Sequence, residues 1–462
     1  MSARLPLGRS LSLLALATAL AAAPSPAAAQ APPVVTDIMP DFEPGRDLGT
    51  TVASNAGTHT IDGGSLRGAN LFHSFASFSL AQAETAHWTR AVGGADAVAN
   101  VVNRVTGGST SFLSGEINSQ DFGNAAFWFI NPAGVVFGAG ATVNVPAAAH
   151  FSTAGTLRFA DGQDFRITTP DGSSLSVAPP SEFGFLGGEA ALIADLGGGT
   201  LSTPGALSLT ASDVTLANAR VSSASLLVAA TGGEAVDLAL DGSADAVLTG
   251  QVSVQSSRAE ALATAGSEGR IALIGGDVSI TDSNVFADTY GAFDAGGVFI
   301  FGDTVTLDNA FVTSETYGDG NGGLVAIGGR SGSFVNDTLI RASSFAAGNA
   351  GNVHIDFAAD LRISDTDIES DAFLSTVGSG AAAGFISISA ADLTIADGSS
   401  ITADTVEGDG GFISIEGSDT LTITDSIAFS DTYGEGDAGG LSIRGGEVTI
   451  QKIGRASWRE RV

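Results

Sequence analysis

The sequence predicts an all-β chain, a right-handed parallel β-helix behind an amino-terminal capping domain. Two observations carry this. Seven units of the second half open on glycine and then place apolar residues two apart, and an aromatic-rich stretch before them lacks that repeat. Period two is the mark of a strand with one face turned inward.

The chain begins with a secretory leader. Arg4 and Arg9 form a short basic region, residues 11–23 carry no charge, and Pro24 and Pro26 break that apolar run. Ala27, Ala28 and Ala29 supply small side chains before Gln30. This layout predicts cleavage after Ala29, giving a leader over 1–29. The alternative, an apolar anchor, needs roughly 20 spanning residues, which this run does not supply.

Composition narrows the class. The formal charge is −31, and −33 once Arg4 and Arg9 leave with the leader. Such a chain is a poor partner for nucleic acid, whose phosphates would repel it. Charged residues make up only 15% and hydrophobic ones 44%, so this is not a disordered polyanion. There are no cysteines. A chain of this length buries enough surface without disulfides. Their absence also suits a chain that threads unfolded through a second membrane, although chance in a Gly- and Ala-rich sequence explains it equally.

Residues 30–188 form the amino-terminal domain, and from residue 34 onward aromatic residues concentrate here. They indicate a separate core that caps the stack, since an open end would expose apolar interior and unpaired strand edges. Three patterns stand out. GANLFHSFASFSL (68–80) alternates as a strand. ANVVNRVTGGSTSFLSGEI (99–117) reads as strand, Gly107-Gly108 turn, strand. In AAFWFINPAGVVFGAGATVNV (125–145), the strand 127–130 meets Asn131-Pro132-Ala133-Gly134, which suits a type I turn, and a strand 135–137 follows.

In this order, ahead of HFSTAG (150–155), the motifs NLFHSF, NRVTGG and INPAGVVFG resemble the amino-terminal secretion (haemagglutination activity) domain of the filamentous haemagglutinin family. Members of that family are exported partners of two-partner secretion systems. The resemblance covers about residues 34–188. It departs at Ala133, where the family usually has Asn, so any hydrogen bond from that amide is lost. The resemblance implies a domain that is itself a β-helix with extra antiparallel strands. It also implies recognition by an outer-membrane β-barrel transporter through periplasmic domains, and folding outside the cell. Asn103, Arg104, Gly107, Gly108, Asn131, Pro132 and Gly134 would then carry the secretion motifs. The same residues read equally well as turns and caps that the domain needs in order to fold.

Residues 189–268 are strand-like but less regular and are expected to form irregular coils. Regular repeats run over 269–450. Their opening glycines stand at 269, 296, 322, 351, 384, 411 and 439, at intervals of 27, 26, 29, 33, 27 and 28 residues. The predicted inward pairs are Ile271 and Leu273, Val298 and Ile300, Leu324 and Ala326, Val353 and Ile355, Ile386 and Ile388, Ile413 and Ile415, and Leu441 and Ile443. A second pair and a third short strand complete each coil, and a single coil is unstable without neighbours. All three tyrosines, Tyr290, Tyr317 and Tyr433, share one phase of the repeat. They read as a corner residue copied by duplication, or as an exposed strip for stacking on sugars. The tail 451–462, QKIGRASWRERV, is basic and foreign in composition, and is expected to be non-native, with the natural protein continuing.

Signals of catalysis are scarce, and no catalytic residue is predicted. His59, His73, His87, His150 and His354 lack metal-ligand spacing. Thiolate chemistry is excluded, and there is no nucleophile elbow or phosphate loop. Asp365, Asp367, Glu369 and Asp371 recur every second residue, so a strand would put all four on one face. Such a row could hold Ca²⁺ or serve as an acid/base pair, but a solvated outer face is the plainer reading. No other cofactor is indicated. The loops YGDGNGG (317–323) and YGEGDAGG (433–440) loosely resemble calcium-binding repeats, without a sustained period. The expected function is that of a non-enzymatic exoprotein, secreted or held at the cell surface. Its coils would serve adhesion to a host or neighbouring-cell ligand, carbohydrate among the candidates. The alternatives are a β-helical polysaccharide-degrading enzyme and a carrier of a haemolysin or contact-dependent toxin.

Overall fold

The computed structural model describes residues 34–89, 98–262, 269–373, 380–434 and 436–451. The leader 1–29 lies outside them. Of the tail, Gln451 closes the last strand, and 452–462 lie outside as well.

Each regular coil is laid down by the alternation read in the sequence. The first strands stack in parallel register, with Val298 between Ile271 and Val325, and Val353, Ile386, Ile413 and Leu441 following in the same column. Rungs of this kind lie about 4.8 Å apart. The second strands do the same through Val278, Val305, Leu361, Leu393 and Leu421, all of them buried. The third strands bury Val285, Val312, Ile340, Ile368 and Ile401. Non-glycine residues with positive φ mark the bend between second and third strands, among them Asp282, Asn309, Asp365, Asp397 and Asp425. Asn and Asp accept that conformation more readily than other side chains.

One inward pair differs from the expectation. Leu324 is exposed, and Val325 and Ile327 point inward instead of Leu324 and Ala326. The coil opens on Gly323, not Gly322, because Gly323 is the residue that packs on the Gly296 carbonyl. The same coil shows a compensation. Gly332 occupies an inward position of the second strand, and the ring of Phe357 fills the space a side chain would take there, packing edge-on against Phe334.

The stack continues without a break through the irregular coils into the amino-terminal domain. Leu207 and Leu209 sit between Ala149 and Phe151 on one side and Leu226 and Val228 on the other. Ala149 and Phe151 in turn stack on Phe127 and Phe129, which stack on Val101 and Asn103. The first rung is closed by antiparallel strands: Asp37–Pro40 and Ser65–Arg67 both pair with Asn70–Ser79. Four further antiparallel strands form a small sheet, Asp164–Arg166, Thr156–Phe159, Pro180–Phe185 and Val236–Ala239 in that order. Its fourth strand comes from the irregular region. This sheet shares a second hydrophobic core with the outer face of the first rungs, built from Phe72, Val102, Trp128, Phe159, Phe165 and Phe183. The strand Asn100–Val105 is therefore buried on both faces.

Candidate functional site

The secretion-motif residues fall between the two cores. Asn103 points into the coil interior and is fully buried. A buried amide needs partners on all sides, and these are met: Trp88 Nε1 donates to Asn103 Oδ1 at 2.8 Å, and Asn103 Nδ2 donates to the Trp128 carbonyl at 2.9 Å. Arg104, the next residue along the strand, points the other way and is also fully buried. Its guanidinium donates to Ser74 Oγ at 2.8 Å, to the Arg166 carbonyl and Ser173 Oγ at 2.8 Å each, and to the Arg46 carbonyl at 3.3 Å. It also lies 4.6 Å from the centre of the Phe165 ring. Burial lowers its pKa to about 10, and the nearby Asp41 carboxylate opposes that shift. Asp41 is reached through Ser74, whose hydroxyl donates to Asp41 Oδ2 at 2.7 Å.

The predicted turn forms. Gly134 N donates to the Asn131 carbonyl at 3.0 Å, the bond that closes a four-residue turn. Asn131 is fully buried and holds the turn to the coil below. Its Nδ2 donates to the Ser109 carbonyl and Ser111 Oγ, both at 2.9 Å, and its Oδ1 accepts Ala133 N at 3.0 Å. The Pro132 carbonyl accepts Ala190 N at 2.9 Å, which ties the turn to the coil above. Gly107 and Gly108 are exposed, and a Cβ on Gly107 would lie 2.0 Å from the Ala76 carbonyl oxygen. These motif residues therefore belong to one arrangement that joins the first rungs to each other and to the extra sheet.

The sequence reading missed a second set of residues beside them. Trp128 Nε1 donates to Asn100 Oδ1 at 3.0 Å, and Asn100 Nδ2 donates to Asn70 Oδ1 at 2.8 Å. Asn70 Nδ2 then caps the Ser176 and Ala178 carbonyls. His150 stacks on Trp128 with ring centres 3.8 Å apart, and its Nδ1 lies 2.6 Å from Ser208 Oγ. Burial depresses the pKa of both His73 and His150 to about 3, so both are neutral. The signal was present as one asparagine per rung, at 70 and 100, but it becomes visible only once the rungs are in register.

The four acidic candidates do not form one row. Asp367 and Glu369 lie on the outer face of the strand Thr366–Glu369. Asp365 precedes it with φ +52°, so it belongs to the bend. Asp371 follows the strand and is buried, accepting Asp404 N at 2.7 Å and Thr402 Oγ1 at 3.0 Å. Glu369 pairs with Arg341 at 2.7 Å. The strand is too short to carry all four: Asp365 still lines one cleft with Asp367 and Glu369 from the bend, whereas Asp371 turns inward. Among the described residues, no three His, Asp or Glu side chains converge as they would around a metal ion.

Asp371 belongs instead to a column that runs up the stack. Thr289, Thr316, Ser344, Ala372, Thr405 and Thr432 bridge in register, so the residues before them align as Asp288, Glu315, Ser343, Asp371, Asp404 and Asp431. Side chains of this column accept the backbone N–H of the next member: Asp288 from Glu315, Ser343 from Asp371, Asp371 from Asp404 and Asp404 from Asp431. Burial pushes the Glu315 carboxyl up to about 6 and the Asp404 carboxyl up to about 7. Asp371 and Asp431 add to the shift at Asp404 by charge repulsion.

The residues after the bridges form the aromatic strip. Tyr290, Tyr317, Phe345 and Phe373 stack nearly parallel, with ring centres 5.0, 5.0 and 5.2 Å apart. The rings cover one another's faces and turn their edges outward. The strip therefore does not offer the open faces that sugar stacking needs, and it reads as a corner ladder. Tyr317 also donates its hydroxyl to Glu315 Oε2 at 2.5 Å.

Comparison with known proteins identifies a family. A family model described as the TPS secretion domain matches residues 43–287, more than half of the chain and well beyond residue 188. The HMW1 secretion domain from Haemophilus influenzae is similar at 15% identity, over 88% of this chain and 99% of that one, with a TM-score of 0.49. A filamentous hemagglutinin secretion domain is similar at 12% identity, over 90% and 99%, with a TM-score of 0.33. No curated protein matches the chain.

Proposed function

The chain belongs to the family defined by the TPS secretion domain and is an exported two-partner secretion exoprotein, and on that premise we propose how its parts divide the work. The amino-terminal rungs engage the outer-membrane transporter that such a system implies. They are also the first part of the β-helix to close once outside. The coils that follow are the adhesive part.

One observation supports this division above the others. Asn103, Arg104 and Asn131 are fully buried, and their partners lie on separate rungs and on the extra sheet. No transporter can touch them in the folded domain. They act by building the fold, so the transporter reads either the exposed turn at Gly107 and Gly108 or the chain before it folds. Once the first rungs are closed, each later coil finds an ordered edge of unpaired N–H and C=O groups to add to, and this lowers the cost of ordering it.

Export from a host with and without the cognate transporter tests the reading. Release of the protein is expected only with the transporter present. Transporter-independent release at an equal level would overturn it.

A further inference from the structure

The third strands present an outward column that changes chemistry along the stack. Arg220, Arg258, Asn284, Phe311, Leu339 and Asp367 are successive register partners. Two clefts open along this face. The first, of about 670 Å³, is lined by Arg220 and Arg258 together with Asn218, Ser256, Asn284 and one carboxylate, Asp282, which accepts Asn309 Nδ2 at 2.8 Å. The second, of about 430 Å³, is lined by Phe311, Arg341 and four carboxylates, Asp337, Asp365, Asp367 and Glu369.

The arginine pair is the feature that needs an explanation. The chain has 50 acidic residues against 19 basic ones, yet two arginines occupy adjacent rungs of one column. Like charges about 4.8 Å apart repel each other. Arg258 is compensated, with Glu260 at 3.2 Å and the Phe286 ring centre at 4.5 Å. Arg220 is exposed and has no ion-pair partner among the described residues. Its charge is directed at the cleft.

We propose that this cleft binds the carboxylate of an acidic sugar, a single uronate-type unit within an otherwise neutral saccharide. The planar guanidinium fork matches a carboxylate in two-point contact. Asn218, Ser256 and Asn284 supply the donors and acceptors that sugar hydroxyls need. Phe311, 39% exposed and one rung beyond Asn284, offers an apolar surface to the neighbouring sugar. Unlike the rings of the corner ladder, it stands between Asn284 and Leu339 in its column. The carboxylates of the second cleft repel a continuous polyanion and so limit the ligand to one charge. This inference names a ligand class for the adhesive part of the proposed function. The binding itself is independent of export.

Titration calorimetry on the purified secreted protein at 0.15 M salt and pH 7 tests it. The probes are a disaccharide containing one glucuronate, its methyl ester, polygalacturonate and inorganic sulfate. The free acid is expected to bind at least tenfold more tightly than the ester. Arg220→Gln is expected to lose at least tenfold in affinity, with Arg220→Lys intermediate, and circular dichroism confirms that each variant is folded. Asp367→Asn is expected to leave the disaccharide affinity unchanged and to strengthen polygalacturonate binding. Three outcomes would each overturn the proposal: no binding of the free acid, equal binding of acid and ester, or full competition by sulfate. Cell attachment that survives Arg220→Gln would refute this ligand and leave adhesion itself standing.

Discussion

Asn131 shows how a motif that looks like a recognition signal can be a structural joint. Its side chain meets two acceptors on the rung below and one donor inside its own turn. Asn131→Ala leaves these groups buried without partners, and such losses cost about 2 kcal/mol. Ala133→Asn, which restores the residue usual in the family, is expected to change stability by less than about 0.5 kcal/mol, because the Ala133 backbone already makes the turn's contacts. Denaturant melts of the two variants check both expectations. A large gain from Ala133→Asn would mean that the missing amide has a structural role the turn does not show. The turn itself was legible in the sequence, since Asn, Pro and Gly each stand where a type I turn wants them. The burial of Arg104 was not. It depends on a sheet assembled from residues 156–185 and 236–239, and no local pattern announces that pairing.

At the level of the coil, glycine is placed by close approach more than by flexibility. A Cβ on Gly323, Gly351, Gly384, Gly411 or Gly439 would lie 1.8–2.0 Å from the carbonyl oxygen of the equivalent glycine one coil below. That contact cannot relax without separating two rungs. Gly384→Ala is therefore expected to destabilise the coils by about 3 kcal/mol, as overpacking of backbone does. Gly398 differs: its surroundings are open but its φ is +88°, so Gly398→Ala should cost only about 1 kcal/mol. Gly233 is open and unstrained, and Gly233→Ala should be neutral. Thermal melts rank the three, and an equal effect at Gly384 and Gly233 would refute the close-approach account. The same ladder explains what could be read beforehand. A coil opens on glycine and buries alternate residues because backbone spacing and strand pleat demand it, so the period was visible. The corner columns were not, because their members vary. The aromatic ladder holds Tyr290, Tyr317, Phe345 and Phe373, and counting tyrosines finds only half of it. The pair at Leu324 and Ala326 failed because the run Gly322-Gly323 left two possible starts, and only stacking on Gly296 decides between them.

Across the whole molecule, the two ends of the stack should answer pH in opposite directions. At the amino end His73 and His150 are held neutral, with pKa values near 3 against an ordinary 6.5. Below about pH 6.5 the unfolded chain takes up protons there that the folded chain refuses, so acidification destabilises this end. The coils carry the opposite bias. Glu315 is raised to about 6 and Asp404 to about 7, and Asp288 and Asp371 are raised as well. Between the ordinary carboxylate range and those values the folded chain holds protons that the unfolded chain has released. Its stability is therefore full at low pH and falls as pH rises through 6 to 7. The groups facing this column are themselves mixed: Arg341 and Arg258 lower these pKa values, while Glu260 and Glu369 raise them. The protein carries its own reporters for the comparison. Trp88 and Trp128 both lie in the amino-terminal rungs, and all three tyrosines lie in the coils. In a Trp458→Phe background, lowering the pH from 7.5 to 5 should move the tryptophan-detected melt down and the tyrosine-detected melt up. Repeat stacks can melt in parts, so the two signals need not coincide. Should both probes shift together in the same direction, the stack behaves as one cooperative body, and the opposed titrations do not govern its stability.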